Sequence, residues 1–135
     1  MIFVNEYLAI IDKHTNSGLY DLCINRDRFK EILSSSNELK IMKNQIVYER
    51  YKCNFKITSG KVNGKEQRFF YLKFEEKEQR NLKKYKDLLR TFRTIVGRTD
   101  IIIETLRDEV SFYYSELAYS EIHKIENMMR KFILY

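Results

Sequence analysis

Lys83, Lys86, Arg90 and Arg93 recur at intervals of three, four and three, so on an α-helix they form one row of cations. Such a row can follow a phosphate backbone, each cation displacing a counterion. Arg80 and Lys84 stand close by, while Glu76, Glu78 and Asp87 neutralise part of the charge. The alternative is a solvated polar face with no ligand at all. A second set mixes cations with flat rings. Arg50, Lys52, Lys56, Phe69 and Tyr71 fall on the outer face of two alternating segments. Rings on an open sheet stack unpaired bases, whereas rings beneath a helix are core material.

Catalytic chemistry is hard to assemble from this chain. It has two histidines. His14 lies at a loop edge. His123 has Tyr119 four residues before it and Glu126 three after it, which fits an acid–base group or a surface or interface histidine. With Glu116 or Glu126 it would offer a metal two or three ligands and no second imidazole. No metal or cofactor site is therefore expected. The chain contains no GxGxxG, P-loop, GxSxG or HExxH, and "RFFYLKF" lacks the glycine spacing of an RNA-recognition-motif strand. With no nucleophile–base set visible, the chain reads as non-catalytic by itself.

The elements that would position these residues follow from composition and periodicity. A length of 135 residues with 44% apolar residues can bury one core. No proline and only four glycines punctuate it, so nothing marks a linker, and residues 1–135 read as a single domain. The net charge of +6 favours anionic partners or simply solubility. Cys23 and Cys53 form no CxxC and read as reduced thiols, a single disulfide being the second reading. The first residues, "MIFVNEYLAIID", lack the basic start and unbroken apolar run of a signal peptide. No apolar run is long enough to span a membrane. A cytoplasmic protein is the expectation.

Along the chain, Asn5 is placed to cap a short helix carrying Tyr7, Leu8 and Ile11 on one face. "LYDLCI" (19–24) reads as a short strand, and Phe29, Ile32 and Leu33 mark a helix after Asn25. Tyr51, Cys53, Phe55 and Ile57 alternate with polar residues, Asn63-Gly64 signals a tight turn, and Phe70, Leu72 and Phe74 alternate again. This predicts an antiparallel β-hairpin over 48–75, within a mixed N-terminal piece over 1–75. Leu82, Tyr85, Leu89, Phe92 and Val96 then follow a helical period, with Gly97 placed just beyond the end. From Thr99 or Asp100 to Tyr135 nothing breaks a helix: Ile103, Leu106, Val110, Tyr113 and Leu117 form a stripe, which Ile122, Ile125, Met129 and Phe132 continue. The expected fold is α+β: the mixed piece with its hairpin, then two long C-terminal α-helices forming a helical hairpin over 76–135. A helix from 100 to 135 would be roughly 54 Å long, against about 40 Å for the diameter of a domain of this size. It must therefore break near Ala118–Ser120 or project.

In "YSEIHKIENMMRKFILY", the residues Ile125, Glu126, Asn127, Arg130, Phe132 and Ile133 resemble a helix of HEPN-type prokaryotic defence and toxin proteins, over about residues 111–135. Those domains are helical, usually dimerise and often cleave RNA. Their catalytic signature, an Arg followed after four to six residues by His, is absent, because neither His14 nor His123 has an Arg at that distance. The resemblance implies a non-catalytic module or fragment, with Glu126 and Asn127 at positions that support a catalytic pair in the family. Two functions follow as expectations. One is nucleic-acid binding, RNA above all, through Lys83, Lys86, Arg90 and Arg93. The other is a protein-interaction or regulatory subunit, such as an antitoxin, a phage-encoded inhibitor or an assembly factor. Its surface would be the apolar helix with Ile125, Met129, Phe132, Ile133 and Tyr135, closing a homodimer or holding a partner protein.

Overall fold

The structure is a computed structural model and describes residues 2–133, the last two as backbone only. Among the described residues six antiparallel strands form one sheet in the order β2-β3-β4-β5-β1-β6. Its centre is an antiparallel hairpin, over 51–76 rather than 48–75, because Tyr48 belongs to the preceding strand. Strand β4 (Tyr51–Lys61) pairs with β5 (Gln67–Glu76), Phe55 opposite Phe74 and Ile57 opposite Leu72. Gly64 in the connecting turn has φ 72°, the left-handed conformation that glycine takes without a Cβ clash. Two short strands, β2 (Leu39–Ile41) and β3 (Gln45–Tyr48), extend the sheet beyond β4.

The first residues are a strand, not an Asn5-capped helix. β1 (Phe3–Asp12) lies between β5 and β6. Tyr7 and Ile11, four apart, satisfy a period of two as well as a helical one. Burial of Phe3, Asn5, Tyr7, Ala9 and Ile11 on one face decides for the strand. Conversely, "LYDLCI" is not a strand. Asn16 accepts a hydrogen bond from the Leu19 amide at 3.1 Å and caps α1 (Ser17–Leu22). Asn25 caps α2 (Arg26–Ser34) in the same way, through Arg28, at 3.0 Å. α2 buries Phe29 and Leu33 as its period requires.

The C-terminal half also departs from the expected pair of long helices. α3 (Leu82–Gly97) is present, with Gly97 as its last helical residue, but residues 76–135 are not a helical hairpin. A sixth strand, β6 (Ile102–Asp108), intervenes and pairs with the free side of β1, and α4 (Glu109–Ile133) begins only after it. The β-branched run Ile101–Ile103 with Thr105 suits a strand, and the open edge of β1 supplies backbone partners that a helix would leave unused. A bulge opposite Glu6 and Tyr7 takes up Leu106, which is why the spacing Ile103–Leu106–Val110 imitates a helix.

One face of the sheet holds the core. Phe70, Leu72 and Phe74 of β5 and Tyr7 of β1 meet Tyr85, Leu88 and Phe92 of α3, while Phe29 of α2 stacks on Phe70 at 4.4 Å. Cys23 and Cys53 are buried free thiols in this core. The buried Asn5 is fully engaged: Tyr85 Oη donates to its Oδ1 at 3.2 Å, and its Nδ2 donates to Asp108 Oδ1 at 2.9 Å. Asp108 in turn caps α4, accepting from the Ser111 amide at 3.0 Å. The base of α4 is thus anchored to β1, inside the sheet. Val110 is buried and Tyr113 meets Phe3 edge-on at 5.4 Å. From Tyr114 to Lys131 every residue is exposed, and the helix passes Ala118–Ser120 without a break. Of the two expected outcomes for this helix, projection is the one observed. Among the described residues no helix is long and apolar enough to cross a membrane.

Candidate nucleic-acid interface

The second face of the sheet is left open. Its residues alternate with the core positions, so they are fixed by the same register. Across β4, β5, β1 and β6 they form rows: Lys56–Lys73–Glu6–Arg107, then Thr58–Tyr71–Leu8–Glu104, then Gly60–Phe69–Ile10–Ile102. None belongs to the core cluster. Lys52, Asn54, Lys56 and Thr58 are exposed, and Phe69, Tyr71, Lys73 and Glu75 are half-buried. Phe69 and Tyr71 therefore lie side by side on β5, about 7 Å apart along the strand, on the face away from the core packed by α2 and α3. Gly60 explains the tilt of the first ring. A Cβ there would meet Phe69 at 2.7 Å, so Phe69 lies down across the bare backbone of β4. Burial, then the neighbouring Glu6 carboxylate, raises the Tyr71 pKa above its ordinary value, keeping the ring neutral.

Beside these rings the sheet has a notch. β3 stops at Gln45, so the later half of β4 has no neighbour on that side. A groove of about 820 Å³ follows this free edge. Arg26 and Lys30 reach it from α2, Lys43 from the β2–β3 turn, Lys56 from β4 and Lys73 from β5, against only Asp27 and Glu75. Lys73 pairs with Glu75 at 3.2 Å. Arg26, Lys30, Lys43 and Lys56 form no ion pair among the described residues. Asn44, Asn54 and Thr58 add uncharged hydrogen-bonding groups to the lining. Unpaired cations in a concave site concentrate positive potential.

The expected row on α3 exists as drawn, but elsewhere. Lys83, Arg90 and Arg93 are exposed along one stripe on the helical side of the molecule, away from the open face. Lys86 is half-buried with its ammonium 4.5 Å from the centre of the Tyr114 ring, a cation–π contact with the base of α4. Arg93 and Lys86 line a cavity of about 250 Å³ together with Asp108 and Ser111. Arg50 does not join the rings either. It lies in the β3–β4 turn, around a cavity shared with Lys84 and Asp87.

The remaining candidates are dispersed. His123 stacks on Tyr119 on an exposed face of α4, and the His14 side chain is exposed, 4.0 Å from Glu66. Among the described residues no three His, Cys, Asp or Glu side chains gather as metal ligands. Ile125 and Met129 are 55% and 58% exposed on α4. The side chains of Phe132 and Ile133, and all of Tyr135, lie outside the described residues. Sequence reasoning missed Arg26, Lys30, Lys43 and Lys73, which come from three separate places, α2, the β2–β3 turn and β5, with no spacing common to the set. The comparisons with known proteins give no family: no family model, no curated protein and no solved structure matches the chain.

Proposed function

We propose that the chain is a nucleic-acid-binding module, non-catalytic by itself, that holds single-stranded RNA across the open face of its sheet. One observation carries this reading: two neighbouring rings, Phe69 and Tyr71, stay out of the core beside a groove with four unpaired cations. Rings stack splayed bases whatever their sequence, and the cations hold the backbone. The resemblance of the last helix to HEPN-type proteins points toward the same class of ligand, in a prokaryotic defence or toxin setting. A second reading, a protein-interaction or regulatory subunit, is supported by the exposed apolar stripe of α4.

Fluorescence anisotropy with a labelled single-stranded RNA oligomer at low salt tests the proposal. Stacking contributes about 1–3 kcal/mol per base, so Phe69→Ala and Tyr71→Ala are each expected to weaken binding by about 5- to 150-fold. Tyr71→Phe, which keeps the ring, should bind like the parent. Both rings lie outside the core, so circular dichroism should be unchanged. A parent protein that binds no RNA at low salt, or alanine variants that bind as well as the parent, would overturn the reading.

A further inference from the structure

The exposed length of α4, eighteen residues from 114 to 131, is about 27 Å of helix. Ile122, Ile125 and Met129 along it are 55–58% exposed. With Ala118 they are spaced four, three and four, the alternation of fours and threes that keeps a heptad seam facing a second helix. An apolar stripe in water needs cover, and charge identifies what covers it. Residues 109–121 carry Glu109, Glu116 and Glu121 with no cation, whereas residues 122–131 carry Lys124, Arg130 and Lys131 against Glu126.

We propose that α4 pairs with α4 of a second copy of this chain, running antiparallel and centred on Ile122 and Ile125. That direction sets the acidic half of each helix against the basic half of the other and opposes the two helix dipoles. Ile122 then faces Ile125 of the other copy, and Ala118 faces Met129, small against large. A parallel pair would bring Glu121 against Glu126 across the seam, like charge on like. The anchor of α4 through Asp108 and Val110 fixes the direction in which the helix leaves the body.

Sedimentation equilibrium of the full chain should show a reversible monomer–dimer equilibrium. Ile125→Glu, at an exposed position, should shift it to monomer with unchanged circular dichroism. Spin labels at Glu116→Cys and at Lys124→Cys test the direction, Cys23 and Cys53 being buried. An antiparallel pair places the two labels at position 124 near one another. It separates those at position 116 by about 22 Å along the axis. Equal distances at both sites, a dimer indifferent to Ile125→Glu, or a monomer at every concentration would each overturn the proposal. The last would leave α4 to a different polypeptide.

Discussion

The salt dependence of RNA binding separates the groove from the α3 row. Replacing Arg26, Lys30, Lys43 and Lys56 by Gln removes four cations, and replacing Lys83, Lys86, Arg90 and Arg93 by Gln removes four as well. Both variants go from a net charge of +6 to +2 (6 − 4 = 2), so general electrostatic attraction falls equally. For single strands, log K falls with log salt by about 0.7 for each phosphate neutralised. If each groove cation meets one phosphate, the groove contributes a slope of about 2.8. Raising salt fourfold, from about 50 to 200 mM, should then weaken binding of the parent about 50-fold. The assay is an anisotropy titration at four or five salt concentrations for each protein. The groove variant is expected to lose most of the slope. The α3 variant should retain it, since Lys86 is already engaged by Tyr114 and the row lies away from the rings. The converse result, slope lost with the α3 row and kept without the groove cations, would refute this placement of the phosphates.

Three further outcomes follow from the interior. Tyr85→Phe removes the one hydroxyl proton shared between the buried acceptors Asn5 Oδ1 and the Phe74 carbonyl, and should lower stability by about 1–3 kcal/mol in urea denaturation. Both thiols should resist alkylation until the protein unfolds. Burial pushes the Cys53 thiol up to about 12, and Cys23 is raised for the same reason. Partial burial pushes Asp108 up, but hydrogen bonds from Ser111 and Asn5 outweigh it and hold its pKa below the usual carboxylate range. Its stabilising contribution is therefore present above the unfolded carboxylate value of about 3.9 and is lost as pH falls through the lower folded value. Asp108→Asn should flatten that part of an acid-denaturation curve, followed by circular dichroism.

The hairpin of β4 and β5 was legible because its period of two runs unbroken for several residues on each side of Asn63-Gly64. β1 was not, because Tyr7 and Ile11 fit two periods and only pairing with β5 and β6 selects one. β6 was hidden for a related reason: a bulged residue, Leu106, lengthens its spacing to a helical one. The site divides in the same way. Lys52, Lys56, Phe69 and Tyr71 could be assigned to one face of the hairpin, but local sequence cannot say whether a helix lies above that face. It is open because α2 and α3 both follow the buried side. The cations of the groove could not be grouped as one set, since Arg26 and Lys73 meet only after the sheet is assembled.

The position of β1 also orders events in time. Its residues are made well before both of its neighbours, residues 67–76 and 102–108. Until residue 108 leaves the ribosome, this interior strand of the sheet lacks at least one partner. The pairing of β4 with β5 is local in sequence and needs no other strand. Closing β1 between β5 and β6 requires long loops to be ordered first, which slows folding and prolongs exposure of unpaired strand edges. The nascent chain is therefore most vulnerable to aggregation in the interval between the appearance of β5 and the docking of β6.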